Sequence, residues 1–493
     1  MRKDVFMNAY QKQYAQSIAD CAIQKIGHLT ELDLVETKPG KLCLGLECLD
    51  RDLWDFDRAW PLIQKLGIRR VRIQSGWQKT EKRKGEYDFE WLDHIVDRLV
   101  GAGIDPFLCL CYGNKIYCDD SQKYPAIENG GIGHLPVTTP EEREGWINYV
   151  DSLTKHFAGR IRYYELMNEA DLSIFVKVDM PWVDAYMEFV KMSAPIIRKN
   201  VANSVIISCT ANVFRTELLI DSGIADYVDI HSFHAYKFFP EAFPADAMKN
   251  LLMKFRKKAP TLKFWRGESG CPSYNDPKSR GALSDVAATE PKQAKFIIRH
   301  LISDLSNDLI ELSSYFHAYD FMHFSKIVRY HYGLIRHEDL STKPSYDVFQ
   351  VLTHIFDGTI RANEDSKLSY LLQKTDHMPT NEEYASLKFY SFQKEDARIY
   401  AYFLPKYIED EVVVKTIHLS LPADMDPDAY VILDPLTRQL YALTEAANAY
   451  LCPVTDYPLL IVEKKMIEGF AVIGDGKAKT EADDELLTQG DHE

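Results

Sequence analysis

Apolar residues along this chain fall into two rhythms that change over near residue 357. From about residue 41 to 356, short strand-like runs alternate with longer stretches in which apolar residues recur at helical spacing. The runs at 42–45, 70–74, 106–110, 163–167, 205–208, 228–231, 263–266 and 312–316 are the candidate strands. Between them lie amphipathic segments such as 91–100, which ends in Gly101-Ala102-Gly103, and 146–157, which ends near Gly159. Strand, loop and helix repeated eight times predict a parallel sheet closed into a barrel with its helices outside.

Beyond residue 357 the runs at 368–372, 385–392, 398–403, 412–421, 430–433, 439–443 and 459–464 are short and bounded by turn residues. That texture predicts an antiparallel sandwich. The expected architecture is therefore α/β: an N-terminal extension over 1–40 with a helix around 11–23, a (β/α)8 TIM barrel over 41–356, a C-terminal β-sandwich over 357–466, and an acidic tail over 467–493, poorly ordered from residue 474.

Charge narrows the partners. With 58 basic against 73 acidic residues in 493, the net charge of -15 repels nucleic acid and anionic membrane and favours a neutral or cationic ligand, with a neutral oligosaccharide or glycoside as the expected partner. No run approaches the roughly 18 apolar residues of a membrane span, and residues 1–23 lack the apolar core of a secretory signal. A soluble, cytoplasmic protein is expected, and its oligomeric state is left open. Nine cysteines, an odd number, include Cys43, Cys109, Cys111 and Cys209 inside apolar runs, where reduced thiols pack as small hydrophobes. Cys109, Cys111 and Cys118 suggest metal ligands, but the first two point the same way on one strand and no matching Cys/His cluster follows. Neither metal nor cofactor is expected.

Two segments carry the candidate chemistry: Tyr163-Tyr164-Glu165-Leu166-Met167-Asn168-Glu169 and Phe264-Trp265-Arg266-Gly267-Glu268-Ser269-Gly270. In each, a buried-strand pattern stops at a glutamate, a residue poorly suited to a dry sheet because burying its charge costs several kcal/mol unless it is paired. Cleavage of an acetal needs one carboxyl to protonate the leaving oxygen and a second to attack or stabilise the oxocarbenium carbon. Glu169 is the candidate acid/base, with a neighbouring carboxylate to raise one pKa of the pair, and Glu268, flanked by glycines, is the candidate nucleophile. Each also reads as a strand-end residue paired with an arginine.

Around the pair, Asn168 can hydrogen-bond a sugar hydroxyl or serve a turn. Arg72 can fork onto Glu268 or pair with Glu165, and one arginine can do both. His234 and Tyr236 share a face of the sixth strand, the phenol within reach of Glu268 and the imidazole facing substrate or structure, whereas His231 reads as core. Trp77, Tyr112, Asn114 and Trp265 are candidates for lining the mouth, where aromatic faces pack on sugar C–H faces. His317, Tyr319 and Asp320 are rim candidates without a role.

The ordered set Arg72, Asn168-Glu169, His234-x-Tyr236 and Glu268 resembles the retaining glycoside hydrolases of clan A, over roughly residues 41–356. Within that clan, Arg72-Ile73-Gln74-Ser75-Gly76-Trp77, the later Tyr87-Asp88-Phe89 and the trailing sandwich look most like glycoside hydrolase family 39, which includes β-xylosidases and α-iduronidases. The resemblance implies Glu169 as acid/base after strand four, Glu268 as nucleophile after strand seven, Asn168 at the sugar 2-hydroxyl, and Tyr236 and Arg72 supporting the nucleophile. The chain departs from the clan pattern at Met167 and Ala170, where tryptophan and proline are usual, and at Ser313-Ser314-Tyr315-Phe316, which lacks the strand-eight tryptophan.

The expectation is a retaining β-glycosidase that acts from chain ends on short oligosaccharides or glycoconjugates. The alternatives are a carbohydrate-binding barrel without turnover, for which the altered neighbours Met167 and Ala170 argue, and an endo-β-glucanase of the same clan. A metal-dependent barrel hydrolase lacks a strand-end His-x-His or carboxylate-lysine set.

Overall fold

The computed structural model describes residues 7–474 except 31, 119–132, 239–240, 242–244, 275–280, 284, 323–328, 365, 367, 372–379, 381–385 and 447. Its centre is a closed barrel of eight parallel strands. These are β1 (Leu42–Gly45), β2 (Arg70–Gln74), β3 (Asp105–Leu110), β4 (Tyr163–Leu166), β5 (Val205–Thr210), β6 (Ile230–His234), β7 (Lys263–Ser269) and β8 (Ile310–Tyr315). Each pairs with the next, and β8 closes onto β1 through Leu42 and Ser313. The expected barrel is present, with β6 beginning and ending later than the apolar run at 228–231 suggests.

Alternation along the strands layers the interior. Toward the amino ends of the strands Cys43, Phe107, Ile207, Ile230, Trp265 and Leu312 pack as one apolar plug. Two residues further up, the interior-facing positions become Cys109, Glu165, Cys209 and Ser232, and polar chemistry begins there.

The C-terminal region forms two antiparallel sheets, one of eight strands and one of four, as the sandwich expectation requires. Five of the strands in these two sheets have no counterpart among the expected runs: Lys25–Leu29, Ile360–Ala362, Thr444–Ala446, Ala449–Thr455 and Ala471–Ile473. Lys25–Leu29, in the expected extension, joins the larger sheet between Gln439–Tyr441 and Ala471–Ile473. Ala471–Ile473, in turn, is an ordered strand inside the segment expected as a tail, so that expectation is corrected there; residues 475–493 lie outside the described residues.

The helix Glu290–Leu305 is buried along almost its whole length, the position of an element with packing partners on all sides. Its charges are answered from the sandwich: Lys295 Nζ donates to Asp456 Oδ2 at 2.6 Å, and Arg299 Nη1 donates to the Lys406 carbonyl at 2.6 Å. Among the described residues no helix is long and apolar enough to cross a membrane.

Candidate active site

At the carboxyl ends of the strands lies a cleft of about 690 Å³, within the range of small-ligand sites. Glu47, Asn168, Glu169, His234, Tyr236 and Glu268 line it. Beneath it the fully buried Arg72, projecting from β2, organises the carboxylates. Its Nε donates to Glu165 at 2.6 Å, Nη1 to Glu47 at 3.0 Å and Glu268 at 2.8 Å, and Nη2 to the Asn168 side-chain oxygen at 2.8 Å. Both readings of Arg72 thus hold together. Because its oxygen is committed to a donor-only guanidinium, Asn168 offers a ligand its amide N–H groups.

Two departures from regular backbone aim the glutamates. In β7 the pairing with β8 shifts register between Arg266 and Ser269, a bulge of the kind that re-aims a side chain. A Cβ on Gly267 would meet Ser232 Oγ at 1.9 Å, so any side chain there would displace the serine hydroxyl. After β4, Met167 and Glu169 both hold left-handed backbone, at φ 67° and 46°. For residues other than glycine this costs about 1–2 kcal/mol each. The neighbouring loop holds it in place: Asp171 accepts from the Ala211 and Asn212 amides at 2.6 and 3.1 Å, and Arg215 Nη1 donates to the Asp171 carbonyl at 2.6 Å.

The glutamates converge on one imidazole. His234 Nδ1 lies 3.0 Å from Glu169 Oε1 and 3.5 Å from Glu268 Oε2, and an oxygen of each glutamate lies within 4.8 Å of one on the other. Tyr236 donates its hydroxyl to Glu268 Oε1 at 2.6 Å. Burial opposes a charged His234, but Cys209, Glu268 and Glu169 around it hold its pKa well above the usual histidine value. Burial and then Glu268 push the Tyr236 phenol up, keeping it a donor. Glu47 is likewise pushed up by burial, against the pull of Arg72.

Other expectations are corrected. Trp77 is fully buried, its Nε1 donating to Glu81 at 2.6 Å and its ring stacked on Tyr117 and Tyr149. Asn114 is equally buried, with Nδ2 on the Glu81 carbonyl at 2.7 Å and Oδ1 accepting from the Ile116 amide at 3.1 Å. Neither lines the cleft. Trp265 sits in the apolar plug against Phe107, at the far end of the barrel. His317, Tyr319 and Asp320 are at most 1% exposed rather than on a rim. Of the expected aromatics Tyr112 does line the cleft, and the other aromatic walls include Phe175, Phe316, Phe321, Tyr330 and Tyr332, mostly from irregular loops without a readable period. Glu47 was missed although Leu42-Cys43-Leu44-Gly45-Leu46-Glu47 carries the same signal as the other two, an apolar run that surfaces in a glutamate.

Comparison with known proteins finds matches to part of the barrel sequence and to the fold. A beta-galactosidase family, glycoside hydrolase family 42, matches residues 47–114. Beta-galactosidase BbgII of Bifidobacterium bifidum is 28% identical over 118 residues, 22% of this chain and 17% of its own length. Beta-galactosidase BgaA of Clostridium cellulovorans is 27% identical over 136 residues, 25% of this chain and 20% of its own length. The chain thus spans about a fifth or less of the curated relatives it matches. A family 39 glycoside hydrolase from the gut symbiont Bacteroides cellulosilyticus WH2 superposes over 87% of this chain and 81% of its own at a TM-score of 0.63 and 20% identity. The fold is that of the family 39 barrel hydrolases. A family 30 subfamily 8 xylanase, Xyn30A of Clostridium acetobutylicum, covers 91% of this chain and 98% of its own at a TM-score of 0.53 and 12% identity.

Proposed function

We propose that the chain is a retaining β-glycoside hydrolase that removes sugars from the ends of short oligosaccharides or glycoconjugates. The observation that carries this reading is the strand-end pair Glu169 and Glu268, with oxygens within 4.8 Å of each other. That spacing favours the roughly 5–5.5 Å carboxyl separation of retention over the roughly 6.5–9.5 Å of inversion, which must admit a water between them.

In the first step an oxygen of Glu268 forms a bond to the anomeric carbon while the glycosidic C–O bond breaks, and Glu169 passes its proton to the departing oxygen. In the second, Glu169 takes a proton from water as the water oxygen attacks the same carbon, and the ester to Glu268 breaks. Arg72 and Tyr236 hold the two oxygens of Glu268 aimed at one spot, and the N–H groups of Asn168 are placed to bind the sugar hydroxyl beside the reacting carbon. A bounded cleft with aromatic walls suits a short substrate, and nine cysteines outside any disulfide suit a reducing compartment such as the cytoplasm.

The test is turnover of nitrophenyl β- and α-glycosides. Galactosides come first because residues 47–114 match a beta-galactosidase family, and xylosides next because of the family 39 resemblance. One active sugar is expected, with turnover lost in Glu268→Ala and partly rescued by azide, and lowered about 10²–10⁴-fold in Glu169→Ala. Turnover that survives Glu268→Ala overturns the assignment.

A further inference from the structure

Outside the cleft, three side chains with metal-ligating chemistry meet: Cys118, His134 and Glu142. After β3 the chain reaches Cys118 and comes back at Gly133, whose amide donates to the Gly113 carbonyl at 3.0 Å. A Cβ on Gly113 would meet the His134 carbonyl oxygen at 1.9 Å, and one on Gly133 would meet that of Cys118 at 2.8 Å. A return this tight needs glycine at both positions, and it lays His134 beside Cys118.

Glu142 arrives from the first turn of the helix Pro140–His156, in a capping box with Thr139. Its Oε2 accepts from the Thr138 and Thr139 amides at 2.9 and 3.2 Å, which turns Oε1 toward His134. Oε1 lies 3.1 Å from His134 Nε2, yet that nitrogen is buried and makes no hydrogen bond in this geometry. One sulfur, one imidazole nitrogen and one carboxylate oxygen lie within 4.8 Å of each other, with Cys118 0% and Glu142 4% exposed.

We infer that Cys118, His134 and Glu142 hold a zinc ion, with water in the fourth position. Tetrahedral zinc with nitrogen and oxygen ligands at about 2.0–2.2 Å sets those two atoms about 3.3–3.5 Å apart, a few tenths of an ångström beyond the observed contact. An ion would also give a partner to a buried histidine nitrogen that has a carboxylate oxygen at 3.1 Å but no hydrogen bond. Binding takes the proton from the Cys118 thiol to solvent, leaving a thiolate on the metal. The paired amides on Oε2 supply the outer-shell orientation that such ligands need. None of the three residues lines the cleft, so the ion lies apart from the Glu169 and Glu268 pair. It fastens the segment whose Leu135 amide donates to the Val176 carbonyl at 3.0 Å, next to Phe175 in the cleft wall.

The test uses the full chain, stripped with a chelator and titrated with Co2+. A thiolate-to-cobalt charge-transfer band that saturates at a single equivalent and is displaced by zinc is expected, together with a rise in Tm on adding zinc. Cys118→Ser should lose the band, whereas Cys271→Ser, a buried thiol elsewhere, should keep it. Glu142→Gln preserves the capping box and hence the fold, and should weaken zinc binding about tenfold or more. Absence of the band in the wild type, its survival in Cys118→Ser, or unchanged zinc affinity in Glu142→Gln overturns the site.

Discussion

The lower and upper halves of the barrel interior are built from the same eight strands to opposite specifications. Below, Phe107, Ile207, Ile230 and Leu312 fill the space with hydrocarbon. Above, the Arg72 guanidinium and the His234 and His317 imidazoles face Glu47, Glu165, Glu169 and Glu268 beneath the cleft. The change takes a single strand repeat: Phe107 gives way to Cys109, Ile207 to Cys209, Ile230 to Ser232. Small side chains in that intermediate layer leave room for Arg72. The lower half holds the fold by burying area, whereas the upper half holds a charge pattern that is stable only as a set.

Breaking the set should therefore cost more than thinning the plug. Arg72→Met strands buried carboxyls without their partner and is expected to cost about 3–5 kcal/mol in urea unfolding as well as activity. A cost below about 1 kcal/mol would mean that the carboxyls do not depend on the arginine. Ile207→Ala, in the plug, is expected to cost about 2–5 kcal/mol while kcat/KM per folded molecule stays unchanged. A matching fall in kcat/KM would join the two halves into one device.

Smaller effects sharpen the contrast. Tyr236→Phe removes a hydrogen bond to a charged group, worth about 1.5–3 kcal/mol. It should lower kcat/KM about 10–150-fold with little change in Tm, and an equal loss of stability would make the phenol structural.

Within β6, His231 and His234 titrate in opposite directions. Burial, and then His234, brings His231 down to about 3, among the hydroxyls of Ser208, Thr210 and Thr216. Its contribution to stability is present above the unfolded value of about 6.5 and is lost as pH falls toward 3. His234, whose pKa is raised, contributes below about 6.5 and loses that contribution as pH rises through its folded value. Urea midpoints across pH should show a flatter acid limb in His231→Gln, and in His234→Gln a deficit that shrinks toward alkaline pH. Two variants with parallel curves would remove the distinction. Trp77→Phe, which takes the indole donor from the buried Glu81, should lower Tm and leave KM unchanged, while Tyr112→Ala in the cleft wall raises KM.

The barrel was legible because parallel strands with both faces covered read as apolar runs, and Arg72, Asn168, Glu169, Tyr236 and Glu268 stood out as polar residues where such runs end. Trp77 and Trp265 misled because an aromatic near a strand end satisfies packing and sugar binding equally well in one dimension. Ala449–Thr455 hid behind Pro453, which argues against a strand. The meeting of Cys118 with His134 and Glu142 was invisible for a different reason: it depends on a glycine-to-glycine crossing, and no ligand spacing along the chain announces it.

The strand Lys25–Leu29 has a consequence for how the molecule is made. Its neighbours, Gln439–Tyr441 and Ala471–Ile473, leave the ribosome roughly four hundred residues later, about 20–80 s at ordinary elongation rates. During that interval the nascent chain carries a strand with both edges open while the barrel assembles behind it. The later strands then close both edges of the early one, so a chain stopped before Gln439 keeps Lys25–Leu29 with its two β-edges unpaired, a feature that quality control can read.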